Sequence, residues 1–196
     1  MDSAETLQQT VARNVREYRR ARGLTLEALA TAADVSRRML ILIERGATNP
    51  SIATLDRLGQ ALGIGFPALV GLPSATLEAQ VIAPAEMPIV WQGTHPGSVA
   101  QLTVALGPRG GVEMWQWQLA AGETFVANAD PSGTQKLFYV LDGVLTLRFN
   151  GGDLRVPAGY GARLPGDRPH NYENRDTDPV RFLCTIVLGD IGMNES

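Results

Sequence analysis

Residues 19–51 read RRARGLTLEALATAADVSRRMLILIERGATNPS, and their spacing decides the amino-terminal fold. Gly23 ends a helical pattern, because a glycine accepts the left-handed turn that follows a helix. Thr25 then offers a hydroxyl cap to a second helix through about Ala32, and Ser36 caps a third that runs through Leu40, Ile43 and Glu44 to Gly46. The join between them is a tight turn. Upstream, Leu7, Val11, Val15 and Tyr18 recur at helical spacing. Downstream, ATNP breaks the chain. A fourth helix from Ser51 carries Leu55, Leu58 and Leu62 on one face, and a short turn from Phe66 to Leu69 completes a bundle of five short helices.

After Gly71 the apolar period falls towards two. Strands are predicted at Gln101–Leu106, Glu113–Leu119, Lys136–Leu141, Val144–Phe149, Leu154–Pro157 and Val180–Leu188. Gly or Pro punctuates the gaps, at Pro108, Gly122, Pro131, Gly143, Gly151, Gly159, Pro165 and Pro169. Many short strands separated in this way imply a sandwich or barrel. The predicted division is a helical unit over 1–72, a linker over 73–78 and a β unit over 79–196.

The chain has 196 residues, a length suited to two such units, and 44% of them are apolar, ample for two cores. No apolar run approaches the ~20 residues that span a bilayer, and MDSAETLQQ lacks the basic and hydrophobic regions of a secretion signal. A cytoplasmic location is the expectation. Cys184 lies in the apolar run RFLCTIVL, where a small buried hydrophobe is the plain reading. Net charge is −3, but residues 1–72 hold nine Arg against seven acids while the remainder is acidic. Attraction for a phosphate backbone is therefore confined to the front.

A pair of capped helices joined by a tight turn, with cations on the second, is a helix-turn-helix. The second member lies in the major groove, where donor and acceptor patterns distinguish base pairs. Arg37, Arg38 and Met39 occupy its exposed first turn; Leu40 and Ile43 anchor it. Arg is the expected bidentate partner of guanine, and Met39 suits a thymine methyl. Thr25, Ser36, Thr48 and Asn49 lie at helix ends, where hydroxyls, amides and backbone N–H groups bind phosphate.

The segment resembles the bacterial repressor-type (XRE/Cro-like) helix-turn-helix. The matching marks are RxxxGLT at 19–25, Leu29-Ala30, Val35-Ser36, IERG at 43–46, and NPS followed by LxxLxxALG up to residue 63. The resemblance implies a largely buried salt bridge between Arg19 and Glu44, a structural pair that touches no base. It also implies a Gln near the start of the second helix; Glu27 stands there and replaces a common base or phosphate ligand. One such unit makes few contacts, so a dyad of two reading half-sites about 34–36 Å apart is expected.

Residues 76–190 resemble a cupin, a double-stranded β-helix or jelly-roll barrel. LFYVLDG at 137–143 matches the end of the family's first motif, and the stretch from Gly159 through Pro165 and His170 to Asn174 matches its second, with Asp167 in place of a glycine. The resemblance implies a metal held by two His and a Glu of the first motif and one His of the second. Here the Glu position is Lys136, the His-x-His region falls in Asn128-Ala129-Asp130-Pro131-Ser132, and only His170 survives. An ammonium competes with a cation, so no metal or other cofactor is expected; His170 with Asp130 and His95 is the remaining irregular candidate. The barrel is instead expected to hold a small organic effector, possibly anionic, against Trp115, Trp117, Lys136, Arg163, His170 and Tyr172.

The fold expected is thus an all-α helix-turn-helix bundle followed by an all-β barrel, and the function expected is a homodimeric, non-enzymatic transcriptional regulator, of the repressor type, binding operator DNA. Two rivals stand beside it. One is a barrel used only for protein interaction. The other is a cupin isomerase, epimerase or dioxygenase, whose metal-free form needs a His base paired with an acid such as Asp178.

Overall fold

The computed structural model describes residues 6–72, 79–106 and 111–189. The expected linker at 73–78 lies outside the described residues. The chain divides into two units, the first running to Pro88 and the second built from Ile89–Val104 and Gly111 onwards.

The first unit is α1 (Leu7–Ala21), α2 (Leu26–Ala32), α3 (Arg37–Glu44), α4 (Ile52–Ala61) and α5 (Phe66–Leu69). Hydroxyl caps set four of the five starts: Thr6, Thr25, Ser36 and Ser51 each accept the N–H of the residue three along. Substituting such a cap by Ala typically costs ~1 kcal/mol. The turn between α2 and α3 is sharp because Asp34 takes φ of 50°, a left-handed conformation that Asp tolerates better than most side chains. Behind it Val35 N donates to Ala30 O, and Arg57 Nε from α4 donates to Ala33 O, closing the end of α2. Val15, Leu29, Leu40, Leu58, Leu62 and Leu69 are wholly buried. Tyr18, placed by spacing on the same face of α1, is exposed.

Among the described residues the second unit has ten strands: β1 (Ile89–Gln92), β2 (Val99–Leu106), β3 (Val112–Leu119), β4 (Thr124–Ala127), β5 (Gln135–Asp142), β6 (Val144–Phe149), β7 (Gly152–Pro157), β8 (Gly161–Pro165), β9 (His170–Glu173) and β10 (Val180–Val187). They form a six-stranded sheet in the order β1-β2-β3-β10-β5-β8 and a four-stranded sheet in the order β4-β9-β6-β7. Four strands, β1, β4, β8 and β9, go beyond those the periodicity predicts. Each has only four or five residues, too few for alternation to register.

The sheets face each other across an aromatic interior: Trp117 on β3 meets Phe125 on β4 at 4.6 Å and Tyr172 on β9 at 5.2 Å between ring centroids. Register stacks this interior in tiers. Trp117, Phe182 and Val140 lie side by side on β3, β10 and β5; next come Trp115, Cys184 and Phe138; then Glu113, Ile186 and Lys136. Charge therefore enters at one end of an otherwise apolar stack. Gly143 turns β5 into β6 at φ 75°, and a Cβ there would meet Pro179 O at 2.8 Å, so the final glycine of LFYVLDG is a packing requirement. Asn174, which ends the second motif, is buried and donates to Leu119 O and Asp178 O, tying loop to strand. No helix among the described residues is long and apolar enough to cross a membrane.

Candidate nucleic-acid interface and barrel interior

The front of α3 presents Ser36, Arg37, Arg38 and Met39 consecutively as exposed residues, while Leu40, Ile43 and Glu44 are buried. A helix anchored at its rear and bare at its first turn can enter a groove side chains first. Ser36 Oγ accepts Met39 N at 3.1 Å and Thr25 Oγ1 accepts Ala28 N at 3.0 Å, so both hydroxyls already cap their helices. Thr48 is half-buried and Asn49 exposed in the loop before α4. Glu27 sits on the exposed first turn of α2, with Oε2 3.6 Å from Arg37 Nε. Arg38 makes no ion pair among the described residues.

Behind that surface Arg19 grips Glu44. Nε and Nη2 donate to the two carboxylate oxygens at 2.5 and 2.9 Å, and Nη1 donates to Leu24 O at 2.9 Å. Side-chain exposure is only 13% for Arg19 and 8% for Glu44. The hydrogen bond to Glu44 raises the Arg19 pKa against the opposing effect of burial. Arg16 donates to Glu44 O, so two guanidiniums from α1 fasten the end of α3. Arg16, Arg57 and Asn14, which donates to Ala68 O and Leu69 O, are functional supports that periodicity passes over, since their partners are backbone carbonyls.

In the barrel, Trp115, Trp117, Lys136, His170 and Tyr172 are all buried and brought together. Arg163 is not among them. On β8 its neighbours Ala162 and Leu164 pair with the inward Phe138 and Lys136, which turns Arg163 outward beside Leu137. His95 is elsewhere too: its backbone N–H and Nδ1 lie 2.7 and 3.2 Å from Glu123 Oε2. Burial opposes ionisation of Glu123, yet the hydrogen bonds from His95, Ser98 and Thr124 outweigh it and hold the carboxyl below its usual range. Nor does His170 pair with Asp178, which is exposed; the acid and base of an epimerase are not assembled there.

The buried polar groups form a directed chain. His170 Nδ1 is 2.7 Å from Arg168 O, a pure acceptor, so Nδ1 carries the proton and Nε2 is the acceptor. Tyr172 Oη, 3.4 Å from Nε2, donates to it and accepts from Lys136 Nζ at 3.2 Å. Burial, reinforced by the Lys136 charge, lowers the His170 pKa and keeps the ring neutral. Burial also raises the Tyr172 hydroxyl well above its usual value and pushes the Cys184 thiol up to about 12, which makes that thiol inert. The far side of Lys136 faces Asp130, a residue of the expected His-x-His stretch. Oδ2 is buried and 2.8 Å from Nζ, an ionic contact, and it makes no hydrogen bond among the described residues.

These residues do not fit the divalent metal that a cupin barrel implies. The position of the first-motif carboxylate carries an ammonium aimed at Asp130 and Tyr172, and no group of three His, Cys, Asp or Glu among the described residues is placed to hold an ion. Trp115 Nε1 donates to buried Glu113 at 3.0 Å, whereas Trp117 Nε1 is buried with no hydrogen-bond partner among the described residues.

A helix-turn-helix family model matches residues 15–69, and a cupin domain model matches residues 115–186. The chain is 27% identical over 182 residues to the HTH-type transcriptional regulator SutR of Escherichia coli (strain K12), spanning 93% of this chain and 97% of that protein. It is 38% identical over 64 residues to an uncharacterized HTH-type transcriptional regulator, y4dJ, of Sinorhizobium fredii, spanning 33% of this chain and 83% of that one. Among solved structures, an HTH_3 family transcriptional regulator from Vibrio cholerae shares the fold at TM-score 0.67 and 24% identity, covering 94% of this chain and 98% of that chain. The chain belongs to the helix-turn-helix transcriptional regulators and carries, behind its DNA-binding head, a cupin domain.

Proposed function

We propose that this regulator acts in the cytoplasm as a homodimer on operator DNA and that its barrel binds a small organic effector without catalysis. The head is residues 1–72, joined through 73–78 to a barrel over 79–196. The observation that carries the reading is the bare first turn of α3: Arg37, Arg38 and Met39 exposed in succession on a helix whose rear is clamped by Arg19. Arg38, free of ion pairs among the described residues, is the principal base reader, and Arg37 acts beside it under the hold of Glu27. Thr25, Ser36, Thr48 and Asn49 meet phosphates. The effector lies against Trp115, Trp117, Lys136, His170 and Tyr172, where the buried Trp117 Nε1 has no hydrogen-bond partner among the described residues and Lys136 brings a buried positive charge.

Coupling between sites needs only about 1–3 kcal/mol to change DNA affinity five- to 150-fold. Genome-wide footprinting with the purified protein tests the first half: protected half-sites about 34–36 Å apart are expected for a dyad. Protection without paired half-sites would remove the homodimer. A thermal-shift screen against metabolites tests the second half, since a ligand of the folded state must raise its apparent stability. A barrel that answers to no metabolite is one used for protein contact.

A further inference from the structure

Asp130 and Lys136 are an unequal pair. The ammonium is nearly sealed, with 5% of its side chain exposed, while Asp130 keeps 26%. The acid stands in the segment between β4 and β5, where its own N–H donates to Gly166 O. Its carboxylate supplies the charge that a buried ammonium requires, yet makes no hydrogen bond with the oxygen closest to Nζ. Space around it is tight: a Cβ on Gly166 would lie 2.9 Å from Asp130 Oδ2 and 3.2 Å from Lys136 Cε. The glycine lets the backbone come close enough to set the acid against the amine.

On the inner side the ammonium already donates to Tyr172, whose proton is committed to His170. Any newcomer at Lys136 must therefore be an acceptor. It must also be anionic, because an ammonium in a low-dielectric interior loses more than it gains by exchanging a carboxylate for a neutral group. Asp130, being partly in water, can be released at little cost; Lys136 cannot. An amine ligand would have the opposite need, for Asp130 would have to stay and Lys136 leave. Deeper than the ion pair, the barrel is lined by the packed rings of Phe138, Phe182 and Trp117, an apolar surround for the body of such an anion.

Resting on the reading of the barrel as an effector site, we infer that Asp130 is an internal competitor, occupying Lys136 until a small carboxylate with an apolar body displaces it. The sign of one substitution separates this role from a structural one and from direct contact with the ligand. The probes are straight-chain monocarboxylates from acetate to octanoate, with matched primary amines and alcohols, titrated against the full-length protein by calorimetry. Carboxylates bind the wild type. Asp130→Asn binds them about tenfold more tightly, since a competitor's removal raises the competent fraction. Lys136→Met does not bind them. A carboxylate-bound crystal structure of the wild type, which needs no variant to fold, shows Asp130 turned away from Nζ.

Four outcomes overturn the inference: unchanged or weaker carboxylate binding in Asp130→Asn, amine binding that Asp130→Asn abolishes, a bound carboxylate with the ion pair intact, or no binding by any probe. A neutral metabolite that binds the barrel while carboxylates do not would sink the anionic class and leave the effector reading standing. Silence from both the probes and a broad metabolite screen would sink the two together.

Discussion

Head and barrel each bury an ion pair, and the two pairs are built for different ends. Arg19 holds Glu44 through two aligned donors and spends a third on Leu24 O. Lys136 meets Asp130 at a single short distance with no aligned hydrogen bond. A guanidinium is a rigid fork that matches a carboxylate, whereas an ammonium is a point charge on a flexible stem. The first pair locks α1 to α3 and so fixes the angle at which Arg38 is presented. The second joins a nearly sealed ammonium to an acid that keeps 26% of its side chain exposed, the acid whose exchange for a ligand carboxylate is proposed above.

The contrast can be broken at its strong end. Arg19→Ala strands a buried carboxylate and should cost about 3–5 kcal/mol of head stability; urea unfolding followed by far-UV dichroism would show the helical transition shifted by that amount, and a loss below 1 kcal/mol would mean the clamp is ornamental. Next is the weak end. Asp130→Asn leaves the ammonium bonded to Tyr172 and should cost about 1–3 kcal/mol, with Lys136→Met costing less because the acid it abandons is partly solvated. A double-mutant cycle should find coupling for Lys136 and Asp130 well below that for Arg19 and Glu44. Equal coupling would erase the distinction drawn between the pairs.

How the clamp serves recognition is checked at Arg38. Arg38→Ala should lose about 1–3 kcal/mol on operator relative to non-operator DNA; equal losses on both would make it a phosphate contact. The barrel's response to acid is a smaller effect. The His170 pKa lies below 6.5 in the fold, so between that folded value and 6.5 the unfolded chain binds more protons and stability falls as pH is lowered through this window. His170→Asn should flatten that limb of the melting-temperature profile while leaving the head's clamp unaffected. Smallest is Glu27→Gln: its pair with Arg37 has 73% and 61% of the side chains exposed, so stability should move by only about 0–1 kcal/mol. Its readout is DNA, where removing a negative charge beside the phosphates should tighten binding to any duplex.

Much of the head was legible because its signals are local. Thr25 and Ser36 are caps by virtue of their neighbours, and the left-handed residues after helices are set by the next turn of chain. The barrel was legible in outline from alternation, but its four shortest strands were not, and neither were the partners of its charged groups. Arg163 and His95 illustrate why. Which way a strand residue faces depends on register with strands far away in sequence, and β8 turns Arg163 outward only through its pairing with β5. Asp130 stands in the stretch where a cupin carries its His-x-His, and only the fold sets it against Lys136.

By itself the amino-acid order determined a capped helical head, a β unit behind it, an exposed pair of arginines and a cupin lacking its metal ligands. These follow from short-range rules of capping, periodicity and residue chemistry. Only the tertiary structure decided that Lys136 already has a counter-ion, that His170 and Tyr172 form one directed chain with it, and that Glu27 reaches Arg37. Electrostatic partnership depends on distances of a few ångströms between residues remote in sequence, and folding alone sets those distances.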